Sequence, residues 1–437
     1  MADLAVPSVP PASAGPRPSI VPGQGRAAIP RLPDPDRRTR PRRIQRTVLR
    51  IDAATPVDRD RALDVLRALA TLGVVLGHWL VTGIVLRAGG HLADDSPLHH
   101  MPRFAPVSWV LQPLAVFFFV GGRVSAAGYA SARAAGRGYR AWLGQRMSRL
   151  ARPVLPFVGM WALVWIGLVA AGTAHETIHT LMWLAFSPLW FLAVYAFLTA
   201  VTPLVLRRGP QTAVAMALVV ICLDGARALF GTDGVVGTVR LLNIPAGWLV
   251  PYALGVAWAG RHFTRRRSAA ALLLGGASAT AALILWCGYP ASMVGVPGQA
   301  LSNLDPPTVA AVAFGLAQCG GALLLSPLLR RLVGQPGTRV PGAVEAAAGR
   351  ARPAQFLWAV VVLANLSAIT VFLWHQTAMI TATVASLGLG GYVFGLHTSP
   401  DSPSWALARL GWIALFAAVL LVLLVALRLC ERRDTSR

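Results

Sequence analysis

Two residues in the first apolar stretch have the types and spacing that could do chemistry. The run Arg61-Ala-Leu-Asp64-Val-Leu-Arg67-Ala-Leu-Ala-Thr-Leu-Gly-Val-Val-Leu-Gly-His78-Trp79 places a guanidinium and an imidazole eleven positions apart. On a helix that is close to three full turns, so both project from one face with an axial separation of ~16 Å. A histidine titrates near neutral pH and can take or give a proton, while an arginine holds anions such as phosphate through a planar fork of donors. An ionisable group inside a membrane helix costs several kcal/mol unless it faces a cavity or a partner, which makes both residues functional candidates by default. The alternative is structural: Arg67 snorkels to the headgroups and His78 hydrogen-bonds a neighbouring helix.

Other motifs could complete such a site. Phe117-Phe118-Phe119-Val120-Gly121-Gly122-Arg123 brings paired glycines and a cation to one stretch. The glycines allow close approach of a helix or a ligand, and Arg123 is either a second anion contact or a snorkelling side chain. Arg146-Met-Ser-Arg149-Leu-Ala-Arg152-Pro153 repeats arginine every third position. That gives one basic helix side suited to phosphate groups, or to orientation by lipid charge alone. Trp190 in Leu189-Trp190-Phe191-Leu192 reads as an interfacial aromatic or a substrate contact. His375 in Phe372-Leu373-Trp374-His375-Gln376 lies ~28 Å along its helix, at a depth like that of His78, so the two histidines could face one pocket. Asp224 and Arg227, at i and i+3, form a neutralising pair.

Composition says which elements must position these residues. Of 437 residues, 55% are hydrophobic and 13% charged, a balance that marks a membrane protein. Apolar segments long enough to span a bilayer recur at about 62–86, 105–131, 153–172, 183–206, 211–229, 241–260, 268–288, 308–329, 356–386 and 405–427. The predicted class is therefore an all-α polytopic membrane protein of about ten transmembrane helices with both termini in the cytoplasm. Every basic residue is Arg, and the formal charge is +23. With the N-terminus placed inside, 33 arginines fall on the cytoplasmic side and only Arg87, Arg103, Arg240 and Arg409 on the other. This positive-inside partition accounts for the basic charge through membrane lipids and argues against nucleic acid as a partner. The absence of Lys suggests a high-GC bacterial genome.

The domain reading has three parts: a Pro/Arg-rich disordered cytoplasmic tail over 1–58, a ten-helix domain over 59–430, and a short basic cytoplasmic tail over 431–437. No secretory leader is apparent, so the first helix is the expected insertion signal. Cys222, Cys287, Cys319 and Cys430 show no close metal-ligand spacing, so no metal and no disulfide framework is expected.

In this order the motifs resemble acyltransferase family 3, integral-membrane acyltransferases that modify sugars, lipids, glycans and some antibiotics; the resemblance is to an actinobacterial type and spans roughly 60–428. It rests on Leu63-Asp64-Val65-Leu66-Arg67 through His78, on Phe118-Phe119-Val120-Gly121-Gly122, on the Arg146/Arg149/Arg152 series, and on Leu189–Leu192 and Leu373–His375. Gly121 stands where the family usually has Ser, and Ala68 replaces a common Gly. The appended extracellular domain of some members is not seen in this sequence.

The resemblance implies acyl transfer from an acyl-CoA, acetyl-CoA foremost, to a hydroxyl of a carbohydrate, glycolipid or secondary metabolite, with no permanently bound cofactor. Arg149, Arg152 and Arg123 are then the donor-binding residues, His78 and Arg67 the catalytic ones, and Trp190 and His375 the pocket. His78 is either the general base or a transient acyl carrier. Two other classes stay open: a proton-coupled transporter or flippase of an amphipathic solute using Arg67, His78 and His375, and a membrane scaffold with a basic tail. The expected location is the inner membrane.

Overall fold

The computed structural model describes residues 43–434 apart from 232, 261, 264, 300, 335–350 and 389–391. Its elements begin with α1 (Arg43–Ala53), α2 (Arg61–Val81), the hairpin β1 (Gly83–Leu86) and β2 (Leu92–Asp95), α3 (Pro97–His100), α4 (Ala105–Ser108), α5 (Leu114–Ala134), α6 (Tyr139–Ala151) and α7 (Val154–Ala170). They continue with α8 (His175–Phe186), α9 (Leu189–Ala200), α10 (Thr202–Arg208), α11 (Gln211–Phe230), α12 (Gly234–Val239) and α13 (Asn243–Ala259). The last four are α14 (Arg266–Trp286), α15 (Val309–Leu332), α16 (Pro353–Leu387) and α17 (Pro403–Asp434).

Ten helical segments are long and apolar enough to cross a membrane, among the described residues. Helix is the answer these sequences must give in lipid, because no water is present there to satisfy a free N–H or C=O. The segment boundaries are set by polar caps: Asp60 accepts from Ala62 N at the start of α2, and Thr308 from Ala311 N at the start of α15.

Three boundaries differ from the sequence reading. The first apolar run leaves the helix at Val81, because Gly83–Leu86 pairs antiparallel with Leu92–Asp95 as a strand. The expected disordered tail over 1–58 does not hold for its last part: Arg43–Ala53 is helical, and residues 1–42 lie outside the described residues. α1 is held by Asp52, which accepts from Arg61 at 2.6 Å and from Gln355 at 2.8 Å, and by Thr55, which accepts from the Trp358 indole at 2.8 Å. Gln355 and Trp358 lie far along the chain, so local composition could not announce them. α17 continues through Asp434 into the segment read as a basic tail over 431–437, of which 435–437 lie outside the described residues.

α2 sits inside the bundle, packed on by α5, α15, α16 and α17. Between apolar helices in lipid the gain comes from close contact rather than from hiding apolar surface, so small residues mark the seams. Gly122 of α5 lies against Tyr252 O of α13, and Gly255 of α13 lies against Phe119 O of α5. The paired glycines 121–122 thus serve a helix crossing, with the Tyr195 ring over Gly121. α14 and α15 repeat the device with Gly276 and Gly320.

A Leu at position 255 would drive a side chain into the Phe119 carbonyl. We expect Gly255→Leu to cost ~1–3 kcal/mol or more, read as a lower unfolding midpoint in detergent. Gly225→Leu, at a position with open space around it, should leave that midpoint unchanged.

Candidate active site

α2 and α16 run side by side in register, and each offers two polar residues eleven positions apart. Arg67 Nε donates to Asn365 Oδ1 at 2.6 Å. Eleven residues further along both helices, Gln376 Nε2 meets His78 Nδ1 at 3.2 Å. The same helical arithmetic that put Arg67 and His78 on one stripe puts Asn365 and Gln376 on the facing stripe. Asn365 is itself fixed by donating to Asp64 O at 2.8 Å and Val361 O at 3.0 Å.

At the upper rung a second imidazole completes the group. The His78 and His375 rings lie 5.1 Å apart, tilted by 50°. His375 Nδ1 donates to Phe372 O at 2.7 Å, and the Trp79 indole donates to His375 O at 3.0 Å. His375 is fully buried, whereas His78 keeps part of its surface accessible. His375 Nε2 and Gln376 Oε1 are buried without a partner among the described residues. A buried polar atom without a partner can still take a hydrogen bond from an incoming group, and here two such atoms sit on consecutive residues.

The lower rung opens on a cavity of about 240 Å³ between α1, α2 and α16, lined by Thr55, Arg59, Arg67, Trp358, Asn365 and Leu366 among others. His78 does not line it. Three arginines of this end are matched with acids. Arg59 pairs with Asp64 at 2.7 Å, Arg61 with Asp52 at 2.6 Å, and Arg330 with Asp60 at 2.8 Å. Arg67 hydrogen-bonds only a neutral amide and shares no salt bridge with an acid among the described residues. A cation at membrane depth that faces a cavity without a counter-ion is poised for an anionic ligand.

The other expected site residues are placed differently. Arg123 is already engaged: it donates to Trp258 O at 3.0 Å, lies 4.4 Å over the Trp258 ring and stands 3.7 Å from Asp60. Arg149 and Arg152 are exposed at the end of α6 and are not brought to Arg67 or to the cavity. Trp190 is 40% exposed. It reaches the histidines only through other rings, stacking near Trp248 and Phe191, with Phe191 4.7 Å from Phe372 and Phe372 5.9 Å from His375. Asp224 does neutralise Arg227, at 3.4 Å, and also accepts from Tyr289 OH at 3.0 Å and Val309 N at 2.8 Å. Burial and the Asp224 carboxylate push the Tyr289 hydroxyl up to about 12.

Sequence reasoning missed Asn365, Gln376 and Arg409. The first two carried a signal, amides repeated at the Arg67–His78 spacing within the ninth apolar run. Arg409, counted on the outer side in the sequence reading, is fully buried near the start of α17. Its guanidinium donates to Trp79 O at 2.7 Å, Thr82 O at 2.7 Å and Gly395 O at 3.0 Å, and lies 4.7 Å over the Phe416 ring. Trp79 follows His78 directly and Thr82 caps the end of α2, so this cation clamps the end of α2 that aims the imidazole. Removing it orphans buried carbonyls at about 1–3 kcal/mol each. Arg409→Met should therefore lower the unfolding midpoint and destabilise the 78–82 backbone, measurable as faster amide exchange there.

A family model described as an acyltransferase domain matches residues 60–429. No match was found among curated proteins or among solved structures.

Proposed function

The chain belongs to this acyltransferase family, and from that premise we propose that it moves an acyl group, acetyl foremost, from an acyl-CoA to a hydroxyl of a carbohydrate, glycolipid or secondary metabolite. It is a multi-pass membrane acyltransferase. The observation that carries the finer reading is the pair of rungs between α2 and α16, which sets an anion-seeking guanidinium and two imidazoles on one seam.

In this reading Arg67, with Arg59 beside it, receives phosphate oxygens of the donor in the cavity. Charge-assisted bonds of this kind are the strong ones and suit a diphosphate. The thioester end of the donor must then travel up the seam, past Thr71 and Val74, to His78. Arg123 contributes through its shared acid Asp60, and the exposed Arg149 and Arg152 draw the polyanionic donor toward this end of the bundle. The partition of arginine supports an inner-membrane protein with both termini cytoplasmic, so the donor approaches from the cytoplasm. Trp190 and Trp248 border the acceptor side. Family membership favours acyl transfer over transport of an amphipathic solute.

The chemistry at the upper rung is proton transfer and carbonyl activation. The acceptor oxygen attacks the thioester carbon, the C–S bond breaks, and the hydroxyl proton ends on the CoA sulfur by way of an imidazole. No metal or redox partner is required for this balance.

The test is transfer from radiolabelled acetyl-CoA by purified protein in detergent, offered lipid and metabolite extracts as acceptors. We expect label in alkali-labile esters together with release of free CoA. Solute counterflow without any consumption of acetyl-CoA would overturn the reading in favour of a transporter.

A further inference from the structure

The hydrogen bonds around the two imidazoles determine where their protons sit. His375 Nδ1 lies 2.7 Å from Phe372 O, and a carbonyl oxygen can only accept. Nδ1 therefore carries the ring proton, and in the neutral ring Nε2 holds the lone pair. That Nε2 is buried and unpartnered. His78 is in the opposite state. Its Nδ1 receives the amide N–H of Gln376 at 3.2 Å, so the neutral ring carries its proton on Nε2.

The two side chains are thus not interchangeable: one presents a base and the other a hydrogen-bond donor, with ring centres 5.1 Å apart. Each setting is locked from outside the pair. Phe372 is one turn below His375 on α16, and Gln376 is the residue after it. The Trp79 indole, which donates to His375 O, holds the α16 backbone against α2 at the same level.

On the acyl-CoA reading above, we infer that His375 is the catalytic base that takes the proton of the attacking hydroxyl, and that His78 donates its Nε2–H to the thioester carbonyl. As the acceptor oxygen bonds to the carbonyl carbon, its proton passes to His375 Nε2. The electron pair of the C=O bond moves onto oxygen and is held by His78 Nε2–H. Collapse breaks the C–S bond, and the departing thiolate takes the proton back from His375. Ester, CoA thiol and two neutral imidazoles result, so protons and electrons balance. The unpartnered Gln376 Oε1 is free to accept from a second donor on the incoming molecule.

Two attacking species separate the roles. Water, like any hydroxyl, needs a base to attack acetyl-CoA, whereas hydroxylamine brings a free lone pair at neutral pH and does not. Both still need the carbonyl to be activated. His375→Asn keeps an N–H where Nδ1 was, so the bond to Phe372 O survives while the distal lone pair is lost.

We expect the folded His375→Asn protein to hydrolyse acetyl-CoA at least ~100-fold more slowly than wild type, while its hydroxylamine reaction stays within about three-fold and its affinity for CoA within about two-fold. His78→Gln should lose both reactions. Hydrolysis within about three-fold of wild type in His375→Asn, or an equal fall in both reactions, overturns the assignment. So does a wild-type protein that uses hydroxylamine but not water. Wild type consuming acetyl-CoA with neither, nor with any hydroxyl acceptor in the extracts, sinks the acyl-CoA reading itself, and the role of His375 with it.

Discussion

His78→Ala is expected to cut acyl transfer by at least ~10²-fold, the lower range for loss of a positioned proton-transferring or hydrogen-bonding imidazole, while the protein still folds and inserts. The reason for expecting a functional and not a structural loss lies in what the imidazole touches. His78 receives one hydrogen bond from Gln376 and packs beside His375, and part of its surface stays accessible. Truncation orphans at most that amide N–H, a cost of about 1–3 kcal/mol, which a bundle anchored at Arg409 and along the glycine seams can absorb. The check is paired: the unfolding midpoint in detergent, and the rate of label transfer from acetyl-CoA. A variant that transfers acetyl at a near-normal rate would remove His78 from the chemistry.

The second large effect is on donor binding. Arg67→Gln should raise the KM for acyl-CoA by about 10- to 100-fold, with kcat changed far less, because a charge-assisted hydrogen bond is worth about 1.5–3 kcal/mol. The expectation rests on a contrast between neighbours. Arg61, two turns nearer the helix start, is buried, paired with Asp52 and bonded to Val333 O. Its loss should show as instability. Arg67 faces the cavity with Asn365 as its one side-chain partner among the described residues, so its loss should show in KM. An unchanged KM in Arg67→Gln, or a fall in stability matching that of Arg61→Gln, would mean that the guanidinium serves the fold and not a phosphate.

Much of this was legible before any coordinates. The spans came from apolar runs alone, since a bilayer demands about twenty apolar residues and leaves the backbone no alternative to helix. The Arg67–His78 stripe followed from 3.6 residues per turn. The failures share a cause. Residues 43–58 look like tail because the groups that hold them, Gln355 and Trp358, come some three hundred positions later. The clamp made by Arg409 was not legible because its carbonyl partners come from the end of α2, the turn after it and the segment before α17. Where Arg149 and Arg152 lie relative to Arg67 was not legible either, because a basic repeat states charge and not direction.

What the chain's own order of residues determined, then, is the set of membrane helices and the face each presents, because periodicity and hydropathy act within one segment. Which faces meet was decided only by packing. The seam of α2 on α16 matched Asn365 to Arg67 and Gln376 to His78, set the two imidazoles 5.1 Å apart, and left Arg67 at a cavity with no acid partner among the described residues. Those are relations between segments far apart in sequence, and pattern within a segment carries no record of its neighbour.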